Sequence, residues 1–132
     1  MTTGRRSAHE VLIVEDDLPL QRLVAAVAAR NGFHSVVAGD GRSALALLDS
    51  ADYDVLVLDL GLPGVNGFDV LRHVATEQPT LLDRTIVITA SDERIYRNSP
   101  HVRHAHALLR KPFDIGKLQS EIRACSRARG EH

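Results

Sequence analysis

Reactive or charged side chains follow four apolar runs of this chain. Glu15 and Asp16 follow the run 11–14, and Asp59 follows 55–58. Thr89 closes 85–89, and Lys111 follows 107–110. One polar residue at the end of a strand means little, because strands must end in something polar. Three carboxylates, a hydroxyl and an amine on a single sheet edge would form a coherent chemical set. Bringing Glu15, Asp16 and Asp59 together forces like charges into one place and raises their pKa values unless a cation offsets them. An all-oxygen donor set suits a hard divalent ion, Mg²⁺ (or Mn²⁺), which keeps several waters and leaves positions open for phosphate oxygens. Asp59 is the candidate nucleophile toward phosphorus, because a carboxylate attacking a phosphoryl group gives an aspartyl phosphate. The Thr89 hydroxyl can donate to one phosphoryl oxygen and the Lys111 ammonium can neutralise another.

The elements needed to gather these residues are legible in the hydrophobic pattern. The run 11–14 reads as a strand, and Leu20, Leu23, Val24, Val27 and Ala28 then recur at helical spacing up to the stop signal Asn31-Gly32. A weaker strand over 35–38 precedes a Gly-Asp-Gly turn, and Ala44, Leu45, Leu47 and Leu48 mark a second helix over 42–48. A strand over 53–59 leads into a loop with Gly61, Pro63, Gly64 and Gly67. Phe68, Leu71, Val74 and Ala75 then mark a helix closed before Pro79. Two further strands fall at 85–89 and 107–110, separated by a polar segment, 91–99, expected to be a short helix. A last amphipathic helix starts from Asp114 through Leu118, Ile122 and Cys125. Strands alternating with helices five times imply a doubly wound α/β fold, a five-stranded parallel sheet in a three-layer sandwich. In such sheets the reactive edge lies beyond the carboxyl ends of the strands.

Composition narrows the class. At 132 residues, 44% hydrophobic, 25% charged and net charge −1, the chain suits one globular domain, without a global pull toward nucleic acid or anionic membrane. The expected division is an N-terminal tail over 1–8, a domain over 9–126 and a C-terminal tail over 127–132. No run is long and apolar enough for a membrane span, and the N-terminus lacks the apolar core of a signal peptide, so a cytoplasmic location is expected. The single cysteine, Cys125, lies in register with Leu118 and Ile122 and is read as a packing residue.

Four short motifs in order, VLIVEDD, DLGLPGVNG, ITAS and RKPF, resemble those of the receiver domain of two-component response regulators, over 11–125. The resemblance implies a flavodoxin-like (βα)5 fold and a phosphorylation-controlled switch rather than an enzyme, with at most slow self-phosphorylation and self-dephosphorylation. It implies that Asp59 accepts the phosphoryl group from a sensor histidine kinase or histidine phosphotransfer protein. Asp16 and Asp59 would ligate Mg²⁺, Glu15 would act through a water, and Gly61 would offer its backbone carbonyl. Thr89 would sense the phosphoryl group, Lys111 would pair with Asp59, and the Lys111-Pro112 bond would be cis. Ala90 is small, as the family favours beside the phosphate pocket. An unnamed downstream protein effector follows, with no direct nucleic-acid contact and with phosphorylation-dependent homodimerisation as an option. The length fits a stand-alone regulator.

The sequence also departs from the family. Three residues before the lysine the family commonly has Tyr or Phe; here Leu108 stands there, without ring or hydroxyl to follow Thr89. The turn before that strand reads His104-Ala105-His106-Ala107 where Gly-Ala is usual. Leu108 supports an alternative reading, a receiver-like binding module that works without phosphorylation. An aspartate-nucleophile phosphohydrolase would need a second aspartate two residues after the first, and Gly61 occupies that position. His101, His104 and His106 read as an exposed turn rather than a metal cluster. Arg123, Arg127 and Arg129 read as a solvated face.

Overall fold

The computed structural model describes residues 9–62, 64–90 and 93–128. Expectations for the 1–8 tail, Pro63, Ser91 and Arg129 lie outside the described residues. The strands are β1 (His9–Val14), β2 (Phe33–Ala38), β3 (Val55–Asp59), β4 (Thr85–Thr89) and β5 (Ala107–Arg110). They form one parallel sheet in the order β2-β1-β3-β4-β5. The helices are α1 (Leu18–Arg30), α2 (Gly41–Ser50), α3 (Gly67–Glu77), α4 (Pro79–Leu82), α5 (Glu93–Tyr96), α6 (Pro100–His104) and α7 (Ile115–Ala128). Strand order reverses direction at β1 and β3, and the crevice at that reversal is where such sheets hold ligands.

Period-two alternation explains why the central strands are apolar throughout. Val11, Ile13, Val55, Val57, Ile86 and Ile88 join Val24 and Val27 of α1 and Leu118, Ile122 and Cys125 of α7 on one face. Leu12, Val14, Leu56, Leu58 and Val87 join Ala44 and Leu48 of α2 and Val70, Leu71 and Val74 of α3 on the other. Each strand thus serves two cores at once. Both faces being covered, β3 has no freedom to shift along its axis, and Asp59 at its end is held at a fixed height.

Strands β4 and β5 match the sequence pattern residue for residue, while the others differ at their starts. Strand β3 begins at Val55 because Asp54 is used sideways. Its carboxylate accepts from Glu10 N–H at 2.7 Å, and its carbonyl accepts from Arg84 Nε at 2.6 Å. Strands β1 and β2 start earlier than the apolar pattern because His9 and Glu10 pair with Phe33 and His34. Pro79 does close α3, yet it also opens α4, where its missing N–H is not needed. The expected exposed turn around His101 is helix α6. Ser99 caps it by accepting from Val102 N–H at 3.3 Å, and Pro100 opens it. The last helix runs to Ala128, past the expected tail boundary at 126.

Candidate functional site

Glu15 lies one residue beyond β1 and is buried; its main-chain N–H donates to the Ala38 carbonyl at 3.0 Å. Asp17 caps α1 by accepting from Leu20 N–H at 2.9 Å, with Pro19 in the first turn. Its own N–H donates to Glu15 Oε2 at 3.0 Å, and Gln21 Nε2 donates to the Glu15 carbonyl at 2.6 Å. The start of α1 therefore clamps Glu15 from two sides. Sequence reasoning missed both Asp17 and Gln21 in this role, although Asp-Leu-Pro is itself a helix-start signal.

Asp59 is buried at the end of β3 and both its oxygens are held. Oδ1 accepts from Gly61 N–H at 2.9 Å, and Oδ2 accepts from Lys111 Nζ at 3.1 Å. The same ammonium lies 3.4 Å from Glu15 Oε1, an ion-pair distance too long for a strong hydrogen bond, and that oxygen is buried with no hydrogen-bond partner. Asp16 is exposed, and one oxygen from each of Glu15, Asp16 and Asp59 lies within 4.8 Å of the others. No other such group of metal-ligating side chains occurs among the described residues.

Thr89 is fully buried at the end of β4, one residue beyond Ile88, the register partner of Asp59. Its carbonyl accepts from Lys111 N–H at 2.8 Å, tying the Lys111 loop to the threonine strand. The Lys111-Pro112 bond is cis, matching the expectation. Leu108 is half-buried on β5 beside Val87, away from the carboxylates. The structure thus brings Glu15, Asp16, Asp59 and Lys111 together, with Thr89 beside them on the sheet edge.

The loop glycines differ in the space around them. A Cβ at Gly61 would meet only Asp59 Oδ1, at 3.6 Å, an ordinary contact, so space does not demand glycine there. The glycine that space does demand is Gly67, where a Cβ would collide with the Asp59 carbonyl oxygen and Leu60 Cα. Gly41 is similarly tight, against the Val65 backbone.

One ammonium faces two buried carboxylates, so the cluster keeps an excess negative charge. Burial, together with the Asp59 charge, raises Glu15 to about 7, despite the opposing Asp17 N–H and Lys111. Burial alone would lower Lys111, but the hydrogen bond and charge of Asp59, helped by Glu15, outweigh it and raise its pKa. The excess charge and the unpartnered Glu15 oxygen fit a hard cation with oxygen ligands. Replacing Lys111 by Met is expected to destabilise the metal-free protein by about 1–3 kcal/mol, since two carboxylates lose their counter-ion. Mg²⁺ should raise the melting temperature of Lys111→Met more than that of the parent. Equal shifts in thermal melts with Mg²⁺ and with EDTA would contradict the shared-charge account.

The secondary features resolve differently. Cys125 is buried on α7 and its thiol is pushed up to about 12, chiefly by burial and then by Glu121, which suits packing. His106 is not an exposed turn residue: its Nε2 lies 2.7 Å from Glu121 Oε1, and Lys117 Nζ is 3.2 Å from Glu121 Oε2. Arg123 donates to Asn31 Oδ1 at 3.0 Å, joining α7 to the end of α1.

Residues 11–123 match the family model for the response regulator receiver domain. The chain is 33% identical over 124 residues to the transcriptional regulatory protein TcrA of Mycobacterium tuberculosis, covering 94% of this chain and 48% of TcrA. It is 32% identical over 120 residues to the phosphate regulon transcriptional regulatory protein PhoB of Escherichia coli, covering 91% and 52% respectively. The chain spans about half the length of the curated relatives it matches. Among solved structures, a CheY-like receiver domain protein from Methanospirillum hungatei superposes with a TM-score of 0.82 at 21% identity, covering 96% of this chain and 100% of that one. The response regulator TrrA from Thermotoga maritima, solved with Mg²⁺ and BeF, gives 0.77 at 23% identity, covering 89% and 98%. With the receiver model spanning most of its length and the parallel sheet in place, this chain belongs to the response regulator receiver domain family.

Proposed function

We propose that Asp59 is the phosphoacceptor of this receiver domain and that its phosphorylation switches a partner-binding surface. The supporting observation is the buried Asp59 at the end of β3, bound to Lys111 at 3.1 Å and clustered with Glu15 and Asp16. The donor is a phosphohistidine of a sensor histidine kinase or a histidine phosphotransfer protein. An Asp59 oxygen attacks phosphorus, the new O–P bond forms as the N–P bond breaks, and the electron pair leaves on the imidazole nitrogen. Mg²⁺ held by Asp16 and Asp59, with Glu15 in support and the Gly61 carbonyl as a further ligand, would supply neutralisation of the two approaching anions. Gly61 N–H and Lys111 orient the carboxylate before reaction, and Lys111 and the Thr89 hydroxyl receive phosphoryl oxygens after it. The position two residues after Asp59, where an aspartate-nucleophile phosphohydrolase carries its second aspartate, is Gly61, so the role is a switch, with hydrolysis of the aspartyl phosphate as a slow reset.

Incubation with acetyl phosphate and Mg²⁺ should add the mass of one phosphoryl group. Asp59→Asn and an EDTA-treated sample should add none. An adduct of equal yield in Asp59→Asn would overturn the assignment. The half-buried Leu108 favours a second reading, a receiver-like module that binds its partner without phosphorylation. Partner binding that is identical in Asp59→Asn and in the phosphorylated protein would establish that reading instead.

A further inference from the structure

One residue beyond β1, the Glu15 N–H makes the last rung of the β1–β2 ladder, on the Ala38 carbonyl at 3.0 Å. Strand β2 ends at Ala38, and Asp40 turns the chain into α2, which it caps. The ladder thus stops before it can supply an N–H to the Glu15 carbonyl, and a carbonyl left unmet beside a buried residue is costly. A side chain of α1 meets it instead: Gln21 Nε2 donates to that carbonyl at 2.6 Å. Gln21 stands one turn beyond the cap Asp17, to whose carbonyl its N–H donates at 2.9 Å, and helical side chains lean back toward the N-terminus. Gly39 leaves the amide room, since a Cβ there would meet only Gln21 Nε2, at 3.9 Å.

We infer that Gln21 is a positioning residue for the cation: its amide holds the peptide plane between Glu15 and Asp16 so that both carboxylates converge with Asp59. The Glu15 carbonyl and the Asp16 N–H belong to one planar peptide unit, so a bond to the first constrains the backbone under both side chains. Glu15 has further anchors, in the Asp17 N–H at 3.0 Å from Oε2 and the Lys111 ammonium. Asp16 is exposed, and its carboxylate makes no hydrogen bond or ion pair among the described residues, so the backbone beneath it sets its place. Partners that orient metal ligands from outside commonly carry about ten- to hundredfold of metal affinity. The inference rests on the Mg²⁺ site of the proposed function and assigns Gln21 no contact with the ion.

The test compares Gln21→Met, which keeps the length and removes the donor, with Gln78→Met. Gln78 makes the same kind of bond at the far end of α3, from Nε2 to the Leu48 carbonyl at 2.9 Å. Methionine forms helix as readily as glutamine, so Gln21→Met should still unfold cooperatively in urea with EDTA. Calorimetric titration should show the Mg²⁺ dissociation constant raised about tenfold or more in Gln21→Met, and within about twofold of the parent in Gln78→Met. Gln21→Leu, a second variant without the donor, should repeat the rise. Phosphoryl uptake from acetyl phosphate in Gln21→Met should need about tenfold more Mg²⁺ for half its maximal rate, with that maximum recovered at saturating Mg²⁺. Equal Mg²⁺ affinity in Gln21→Met and the parent would overturn this inference and leave the metal site standing. An equal loss in Gln78→Met would mark a general loosening and also overturn it. A parent protein that binds no Mg²⁺ would overturn the metal site and this inference together.

Discussion

Gly67→Ala is expected to lose about 3 kcal/mol or more of folding stability, at the upper end of overpacking effects. The first residue of α3 packs against the chain that leaves β3, and its N–H donates to the Leu60 carbonyl at 3.1 Å. A Cβ there would overlap main-chain atoms of Asp59 and Leu60, which cannot swing aside as a flexible side chain can. Relief requires α3 to retreat or the end of β3 to shift, and either moves Asp59 relative to Lys111. Urea unfolding of Gly67→Ala beside Gly39→Ala checks this, because a Cβ at Gly39 meets only Gln21 Nε2, at 3.9 Å. The Gly39 variant should stay within about 1 kcal/mol of the parent. Equal midpoints and slopes for Gly67→Ala and the parent would show that α3 is not fixed against the strand.

The second large effect concerns Glu15 and pH. Its folded pKa of about 7 stands above the ordinary value of 4.5, so the folded protein holds a proton that the unfolded chain has released between those values. Stability of the metal-free protein therefore contains a contribution present below pH 4.5 that is lost as pH rises toward 7 and is fully absent above it. A cation bound at the cluster competes with that proton. Mg²⁺ affinity, followed by calorimetric titration, should fall about tenfold from pH 8 to pH 6, as the unprotonated fraction of a group near 7 does. In Glu15→Gln the affinity should be lower at pH 8 and nearly level across this range. An equal slope in the variant would assign the proton to another group.

The chemistry-bearing residues were legible because they terminate runs whose apolar character is strong enough to identify strands without help. Thr85–Thr89 and Ala107–Arg110 matched for that reason. The missed features depend on neighbours distant in sequence. Asp54 stands just before β3, its carboxylate taken by Glu10 N–H and its carbonyl by Arg84 from other elements. His106 is partnered by Glu121, fifteen residues away on α7. Gly67 reads as a turn glycine, whereas its constraint comes from the main chain of Asp59 and Leu60. Helix α6 differs: Ser99-Pro100 is a cap-and-proline start signal present in the sequence, whereas the histidines after it read as an exposed turn.

The most direct measurement is the position of the phosphoryl bond itself. Borohydride reduces an acyl phosphate to an alcohol and leaves free carboxylates intact, so a phosphorylated aspartate is converted to homoserine. The protein loaded with acetyl phosphate and Mg²⁺, then reduced and digested, should yield homoserine at position 59 in the peptide containing Val55–Asp59. Recovery of unmodified Asp59, with the reduction found at Asp16 or elsewhere, would contradict the account.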